Sequence, residues 1–341
     1  MTLKELARQL GLSPTTVSRA LNGFPEVSEA TRIKVREAAQ ASGYHPNLQA
    51  RRLATGRAMA IGHILPMAPS HDLVNPIFAD FIAGAGEIYA LRGYDLIMTL
   101  VKEGDEDAAY RAMAAKRNVD GVILHGARDL DLRPDLCREL GLPFVIHGRV
   151  ETPASGDLWI DTNHESAFEQ LVLLLIDQGH RDIALINGPE GLRASAHRRA
   201  GFERAFLARG LEVPRLYMVS GEVSDETGRD AAAEMLSWRS RPSAFVTASL
   251  MGAMGVRRAV EDTGLALGRD ISLVTWDDGL SFVTNRGLNP IYTAMKSPVR
   301  EAGQRAAQML IDRIETPDIA QTPLLLEPAL LMGQSLGPLK M

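Results

Sequence analysis

The chain has 341 residues, of which 45% are hydrophobic and 23% charged, with a formal net charge of −5. This is the composition of an ordinary soluble globular protein, but the length is too great for one typical core and favours two or three domains. A single cysteine, Cys137, excludes an internal disulfide. No apolar run approaches a membrane span, and an amphipathic helix stands where a signal peptide would, so we expect a cytoplasmic protein without a membrane partner.

The charge is divided unevenly along the chain. Residues 1–57 contain nine Lys or Arg and four Glu, a charge of +5, which leaves −10 for the rest of a chain whose total is −5. A basic segment on an acidic body is typical of a protein in which only that segment meets the phosphates of DNA. The sequence therefore predicts a DNA-binding domain at 1–46, a linker at 47–57 and a body at 58–341.

The basic segment predicts three short helices. Thr2 begins a capping-box pattern, and Gly11 ends the first helix. Ser13 caps a second helix that has Pro14 in its first turn, where the missing N–H is harmless, and a third helix opens at Ser28. A helix, a short turn, a polar helix and a supporting helix make a helix-turn-helix, whose second helix lies in the major groove.

The linker and the body predict different kinds of structure. A helix at 48–54 is too short to be stable alone, so we expect it to form only with contacts from DNA and a partner subunit. From residue 58 onward, apolar β-rich runs alternate with helical stretches, which indicates parallel sheets covered on both faces. A Pro/Ser/Gly cluster near 152–156 interrupts this alternation and suggests two doubly wound lobes with a cleft between them. The predicted lobes are about 58–156 with 292–323, and about 157–291 with 324–341.

Motifs in both parts of the chain resemble the lactose/galactose repressor (LacI/GalR) family of bacterial transcription factors. They are Thr2-Leu-Lys-Glu-Leu-Ala, Leu12-Ser-Pro-Thr-Thr-Val-Ser-Arg-Ala-Leu-Asn22, Val27-Ser-Glu-Ala-Thr-Arg32, Gly43-Tyr-His-Pro-Asn47, Gly179-His-Arg-Asp-Ile183, Arg198-Arg-Ala-Gly-Phe202 and Trp276-Asp-Asp278. The similarity covers essentially the whole chain. It implies an all-α head joined by a hinge helix to an α/β core of periplasmic-binding-protein type. It also implies a homodimer on palindromic operator DNA and a small-molecule effector, with no cofactor.

The resemblance assigns DNA contacts to the head and the hinge. Pro14 and Thr15 match positions that select the operator sequence, and Arg19 matches an arginine that reads a base, as suits its bidentate fit to guanine. Ala50 and Leu53 match hinge positions that enter the minor groove, where the leucine wedges into a base step, although Leu53 could instead pack against the core. Phosphate contacts or helix caps, which position without specifying, are expected from Thr2, Ser13, Thr16, Ser18, Asn22, Arg51 and Arg52.

The resemblance also places an effector site in the cleft. Asp277 stands at the family's sugar-binding aspartate and Arg198 at its effector-binding arginine. A carboxylate facing a guanidinium suits vicinal hydroxyls. Both residues could instead have a purely structural role. Asp277 or Asp278 could cap the following turn, and Arg198 could be a surface charge. Polar residues that end neighbouring strands should meet at one sheet edge; these are His125, His147, Arg149 and Asp161.

Two further positions complete the predicted effector site. Phe78 could offer its ring to a sugar face or could pack in the core. Ser249, followed by Leu250, stands where most family members have an Asn-Asp or Asp-Asp pair. This departure removes an amide or a carboxylate from the expected cleft wall and suggests a different or larger ligand than a monosaccharide.

The function follows from the combination of head and body. Motifs of enzymes are missing, since the sequence has no P-loop, no HExxH and no paired cysteines, so no catalytic or metal-binding residue is predicted. A sugar receptor would explain the body but not the head. We therefore predict a repressor of a carbohydrate-utilisation operon that a sugar, a mono- or disaccharide or a derivative, releases from its operator. An activator, or a regulator with a non-sugar corepressor, would have the same features, and a carbohydrate-acting enzyme with an appended head is the remote alternative.

Overall fold

The computed structural model describes residues 1–21, 24, 26–44, 56–67, 77–102, 104–150, 153–279, 285 and 289–339. The chain divides into two units, Met1–Met59 and Ala60–Met341. Most of the predicted hinge lies outside the described residues, and so do five of the predicted DNA contacts: Asn22, Ala50, Arg51, Arg52 and Leu53. No helix among the described residues is long and apolar enough to cross a membrane.

The first unit is a three-helix head, as its capping residues predict. Its helices are α1 (Leu3–Leu10), α2 (Pro14–Leu21) and α3 (Glu29–Ala41). The capping box is present, because the Thr2 N–H donates to Glu5 Oε2 at 2.7 Å and the Glu5 N–H donates to Thr2 Oγ1 at 3.3 Å. The Thr16 N–H donates to Ser13 Oγ at 3.0 Å, so Ser13 caps α2. The small core is made of Leu6, Ala7, Val17, Ala20, Val27, Val35 and Ala39.

The second unit alternates strands and helices throughout. Its helices are α4 (Ile77–Arg92), α5 (Glu106–Lys116), α6 (Arg133–Glu139), α7 (His164–Asp177), α8 (Arg193–Ala208), α9 (Asp225–Ser237), α10 (Leu250–Asp262) and α11 (Val299–Glu315). Its strands are β1 (Ala60–Met67), β2 (Asp95–Lys102), β3 (Gly121–His125), β4 (Phe144–His147), β5 (Trp159–Thr162), β6 (Ile183–Asn187), β7 (Met218–Ser220), β8 (Ala244–Thr247), β9 (Ser272–Asp277), β10 (Thr293–Lys296), β11 (Leu324–Leu326) and β12 (Ala329–Leu331).

Two six-stranded sheets define two lobes. The first sheet has the order β11-β5-β4-β3-β1-β2 and the second has the order β12-β10-β9-β8-β6-β7. All described pairs are parallel except β10 with β12. In each lobe the order reverses next to the lobe's first strand, β1 or β6, and ligands of such sheets bind at the carboxyl ends of the strands beside that reversal. The prediction of two doubly wound parallel-sheet lobes is confirmed.

The predicted lobe boundaries are wrong in three places. β5 belongs to the first sheet, because residues 153–156 lie in the connection between the neighbouring strands β4 and β5 and the chain leaves the lobe only after β5. β10 pairs with β9 in the second sheet, and β11 pairs with β5 in the first. Proline, serine and glycine mark a loop, but they carry no information on which sheet the next strand joins. That choice depends on partners far away in the sequence.

Two helices of the first lobe, α4 and α11, cross each other closely at two glycines. A Cβ added at Gly84 would lie 2.0 Å from the Arg300 carbonyl oxygen, and one at Gly303 would lie 2.0 Å from the Phe81 carbonyl oxygen. Beside the crossing, Arg300 Nε donates to Glu87 Oε1 at 3.0 Å. The two helix backbones can therefore approach this closely only because neither glycine has a side chain.

We expect Gly84→Ala to lower the free energy of unfolding by roughly 1–3 kcal/mol, because the added methyl must push the two helices apart. Gly86, two residues further along α4, is the matched control, since a Cβ there meets nothing within 4 Å. Gly86→Ala should leave stability unchanged or raise it by up to about 1 kcal/mol through helix propensity. Thermal melting of the two variants distinguishes them, and equal melting temperatures would contradict the close crossing.

Candidate functional site

The exposed face of α2 carries the side chains predicted to read DNA. Pro14, Thr15 and Arg19 are exposed to solvent, whereas Val17 on the opposite face is buried. Ser13 Oγ also lies 2.8 Å from Thr16 Oγ1, so the hydroxyls at the start of α2 form a local capping network. The arrangement leaves an arginine and small uncharged groups on the side of α2 that is free to enter a groove.

One wall of the cleft in the second unit is a chain of imidazoles at the carboxyl ends of the first sheet. His63, inside β1, has Nδ1 3.0 Å from His125 Nε2, and its Nε2 lies 2.8 Å from the Tyr89 hydroxyl. His125 Nδ1 lies 3.3 Å from His147 Nδ1. Burial lowers the pKa of His63 to about 3 and that of His147 to about 4, and it lowers the pKa of His125 well below its usual value. The three rings are therefore neutral at neutral pH.

Two phenylalanines of α4 pack against these rings. The Phe81 ring stacks on His147 with centroids 4.1 Å apart and an interplanar angle of 22°. The Phe78 ring, which is half-buried, meets His125 edge-on with centroids 5.0 Å apart. In this structure Phe78 therefore packs on a side chain of the cleft wall, and its exposed part remains available to a ligand.

The other wall, in the second lobe, centres on a buried arginine. Arg198 in α8 is 7% exposed, and its guanidinium carbon lies 5.9 Å from the Phe168 ring centre and 5.8 Å from that of Trp276. Burial lowers the pKa of this guanidinium, and the charges of Asp278 and Asp161 oppose the effect. Burial raises the pKa of Asp278 to about 7 and that of Asp161 to about 6. Two carboxyl groups that take up protons easily thus share one buried guanidinium.

Several buried polar atoms of this region make no hydrogen bond with the described residues. They are His164 Nδ1, Ser195 Oγ, Arg198 Nε and Asp278 Oδ1. Buried donors and acceptors are almost always paired in native proteins, so a cluster of unpaired ones is typical of a site that a polar ligand or water completes. The mixture of donors and acceptors suits hydroxyl groups, which can donate and accept at once.

His197 joins the two walls. Its Nε2 accepts from Arg149 Nη2 and from Arg193 Nη2, each at 3.4 Å, so its proton lies on Nδ1, which is 3.8 Å from Asp161 Oδ2. Burial and the neighbouring arginines lower the pKa of His197 to about 4. An open cavity of about 480 Å³ adjoins these groups and is lined by Arg149, Val150, Glu165, Arg193, Ala196, His197 and Ala200.

The lobes are also linked by backbone hydrogen bonds. The Arg193 N–H donates to the Ala127 carbonyl at 2.9 Å, and the Asp129 N–H donates to the Gly191 carbonyl at 3.1 Å. Arg193 Nη1 lies 3.1 Å from Asp129 Oδ1. The connection after β3 and the start of α8 therefore form a bridge between the lobes, which is called the lobe bridge below and consists of residues 127–129 and 191–193.

Comparison with known proteins agrees with this architecture. Residues 2–47 match the model of bacterial regulatory proteins of the lacI family, and residues 172–336 match the periplasmic binding protein-like domain. The HTH-type transcriptional regulator AglR of Rhizobium meliloti (strain 1021) is 38% identical over 99% of this chain and 95% of its own length. The chain belongs to the lacI family. It is a helix-turn-helix transcriptional regulator, as the sequence motifs predict.

Solved structures of relatives cover nearly the whole length of this lacI-family chain. The complex of the regulator CelR with cellobiose has a TM-score of 0.73 and 28% identity, and covers 98% of this chain and 99% of that chain. The lac repressor dimer bound to operator and the anti-inducer ONPF has a TM-score of 0.78 and 25% identity, and covers 98% of each chain. Both matches therefore include the head and the two-lobed body of this regulator.

Two predicted cleft residues of the lacI-family regulator also cap local structure. Asp277 Oδ1 accepts from the Gly279 N–H at 2.7 Å, so this carboxylate caps the turn after β9, whereas the neighbouring Asp278 is in electrostatic contact with Arg198. Ser249 caps α10, because its Oγ accepts from the Gly252 N–H at 3.0 Å. Both capping roles leave the predicted effector contacts of Asp277 and Ser249 as predictions.

The structure brings the remaining predicted cleft residues together and adds others. One polar seam contains His125, His147, Arg149 and Asp161, which are predicted to meet because they end neighbouring strands, together with Arg198. Sequence reasoning missed the residues behind or beside them, namely His63, His164, Ser195, His197 and Trp276. The proximity of Ser195 and His197 to Arg198 on one helix could have indicated two of them, but nothing local indicates His63. Among the described residues, no group of three or more His, Cys, Asp or Glu could hold a metal ion.

We expect Asp278→Asn to alter the dependence of stability on pH in this regulator. The folded pKa of Asp278 is about 7 and the unfolded value is 3.8, so the carboxyl's stabilising contribution is full below pH 3.8 and is lost as the pH rises to about 7. Relative to wild type, the variant should gain stability over this window, by up to about 1.4 kcal/mol per pH unit. Melting temperatures measured across the window test this. Asp95→Asn, at an exposed position, is the control, and parallel curves for wild type and Asp278→Asn would refute the burial of this charge.

Proposed function

We propose that this protein is a cytoplasmic repressor of carbohydrate-utilisation genes. It binds a palindromic operator as a homodimer and releases it when a carbohydrate binds between the lobes. The proposal is supported by family membership together with two relatives, the lac repressor bound to operator and CelR bound to cellobiose. The cluster of unpaired buried polar atoms beside Arg198 carries the carbohydrate part of the proposal.

Operator reading is assigned to the exposed face of α2. Arg19 would pair with a guanine edge, while Pro14 and Thr15 would contact neighbouring bases through apolar groups and a hydroxyl. Thr2, Ser13, Thr16 and Ser18 would position the head through hydroxyl contacts to phosphates, which fix its register without reading the sequence. Minor-groove contacts by Ala50 and Leu53, and phosphate contacts by Asn22, Arg51 and Arg52, remain predictions.

Carbohydrate binding is assigned to the polar seam. Arg198 and Asp278 would each make two hydrogen bonds to neighbouring hydroxyls, and Asp161 would serve similarly from the first lobe. His147, Arg149 and the Phe78 ring would complete the side opposite Arg198. The predicted contacts of Ser249 and Asp277 are kept as parts of the same proposal. His125 would act through His147, because both of its ring nitrogens are hydrogen-bonded to histidines.

Release of DNA requires the two lobes to differ in arrangement between the free and the liganded states. The lobe bridge would be the part that changes. A ligand that hydrogen-bonds to the polar seam would alter the strength of the hydrogen bonds within the lobe bridge, and so favour one arrangement of the lobes. Linkage then makes the effect mutual: the carbohydrate weakens operator binding by the factor by which the operator weakens carbohydrate binding.

The dimer contact is assigned to the first lobe. α4, an outer helix of this lobe, is partly covered by α11, but Leu91 near its end is 79% exposed. The adjoining edge strand β2 exposes Leu96, Met98 and Leu100 on one face. An exposed apolar row invites association when it lies on an edge strand whose outer side pairs with no described strand, so a second copy of this chain is the proposed occupant.

The full-length protein tests this function in two steps. Selection from a random DNA library should recover a palindromic sequence, and recovery of no preferred sequence contradicts the DNA part. Mono- and disaccharides, beginning with cellobiose, are then screened by thermal shift and by release of the selected DNA. A carbohydrate that raises the melting temperature and releases the DNA supports the proposal. If the DNA is bound but no carbohydrate has either effect, the carbohydrate part is refuted while the DNA part stands.

A further inference from the structure

The imidazole chain behind the cleft has only two possible proton arrangements. Tyr89, His63, His125 and His147 are linked end to end by three hydrogen bonds. Each neutral imidazole carries one N–H, so a ring that donates at one nitrogen accepts at the other. All three bonds must therefore point the same way, either from Tyr89 towards His147 or from His147 towards Tyr89.

The tyrosine at the closed end decides between them. Tyr89 is 2% exposed, and burial raises the pKa of its hydroxyl, which keeps its proton. Among the described residues, the hydroxyl's hydrogen-bond partner is His63 Nε2. If His63 donated to Tyr89 instead, the hydroxyl proton would be buried without an acceptor, which is costlier than an unmet acceptor lone pair on an oxygen that has two.

The direction of hydrogen-bond donation along the imidazole chain then determines whether the cleft presents a donor or an acceptor to a ligand. Tyr89 donates to His63 Nε2, His63 Nδ1–H donates to His125 Nε2, and His125 Nδ1–H donates to His147 Nδ1. The last proton is left on His147 Nε2. No described residue hydrogen-bonds to that nitrogen, and His147 is half-buried, unlike the fully buried rings behind it.

We propose that Tyr89 and His63 are positioning residues that hold His147 as an Nε2–H donor, so that this wall of the cleft selects a ligand with a hydrogen-bond acceptor, such as a sugar ring or glycosidic oxygen. The selection of ligand rests on the proposed function, whereas the proton arrangement does not. Phe81, stacked on His147, keeps the ring in the plane that the chain requires. Neither Tyr89 nor His63 touches the ligand.

Nitrogen-15 NMR of protein labelled at histidine tests the arrangement without any ligand. Protonated and unprotonated ring nitrogens differ widely in chemical shift, and signals are assigned by their loss in single histidine variants. In wild type we expect the proton on Nδ1 of His63 and His125 and on Nε2 of His147. In Tyr89→Phe the direction is no longer imposed, so all three residues should show both tautomers or averaged shifts. A proton on Nε2 of His63 in wild type, or unchanged shifts in Tyr89→Phe, overturns the proposal.

Tyr110→Phe is the matched control. Tyr110 is also fully buried in the first lobe, but its hydroxyl has no hydrogen-bond partner among the described residues. It is therefore not part of the imidazole chain. This variant should retain the wild-type shifts of His63, His125 and His147. If it alters them as Tyr89→Phe does, the effect belongs to loss of any buried hydroxyl and the proposal fails. Thermal melting of both variants establishes that they are folded.

A binding measurement completes the test with a carbohydrate from the thermal-shift screen, cellobiose being tried first. Tyr89→Phe should bind it about tenfold more weakly, the scale of one reoriented hydrogen bond, with operator affinity unchanged. Tyr110→Phe should bind it as wild type does. Equal affinity in all three proteins refutes the selection of an acceptor by His147. If no carbohydrate binds, the proposed effector class fails, and the NMR result still decides the proton arrangement.

Discussion

Replacing Arg198 by methionine is expected to raise the carbohydrate concentration that releases the operator by about 100-fold, because truncating a buried charged hydrogen-bonding group costs about 2–5 kcal/mol of binding. Methionine fills a similar volume between the Phe168 and Trp276 rings. The two carboxyl groups left behind have pKa values already raised to about 6 and 7, so they can be neutralised by protons and the lobe should remain folded. Release is measured by DNA binding during carbohydrate titration.

Arg199→Met is the control for this prediction. Arg199 is the next residue of α8, is more exposed and pairs with Glu190 at the surface. The control loses the same charge from the same helix, yet it should respond to carbohydrate as wild type does. Equal loss of response in both variants would mean that charge on α8, rather than contact with the ligand, controls release. An unimpaired response of Arg198→Met would remove Arg198 from the proposed site.

Replacing Arg19 by alanine is expected to weaken binding to the selected palindrome by roughly 10- to 100-fold per half-site, since a bidentate contact to a base contributes about 1–3 kcal/mol of discrimination. The loss should be confined to the preferred sequence. Affinity for a palindrome with the contacted base pair replaced should change little, so the ratio of the two affinities falls. Both are measured at one fixed salt concentration, because phosphate contacts depend strongly on salt.

Arg36→Ala is the control for Arg19→Ala. Arg36 is an exposed arginine of α3, the supporting helix, so its removal changes the head's charge by the same amount. It should lower the affinity for both DNA sequences alike and leave their ratio unchanged. If Arg19→Ala also preserves the ratio, Arg19 contacts phosphate and not a base.

The head could be predicted almost completely because its determinants are local. The capping box at Thr2 and the cap at Ser13 each act within a few residues, and the structure has both. Signals of this kind depend only on residues close together in the sequence, so they predict structure without information on the rest of the chain.

The lobe boundaries could not be predicted for the opposite reason. β5 and β11 pair with each other although more than 150 residues separate them, and β10 pairs with β9 in the other lobe. Short apolar strands such as these have no local feature that distinguishes one sheet from another. Only the closure of both sheets, with each helix layer covering its own face, decides where each strand belongs.

The cleft shows the same division. The sequence by itself determined that an arginine at 198, an acidic pair at 277–278 and polar strand ends at His125 and His147 would be available at one edge. The tertiary structure alone decided that Asp278 is in electrostatic contact with the guanidinium while Asp277 caps a turn, and that Tyr89 and His63 stand behind the cleft wall. Residue type and spacing specify what a side chain can do, whereas packing across distant segments specifies which partner it meets and in which protonation state.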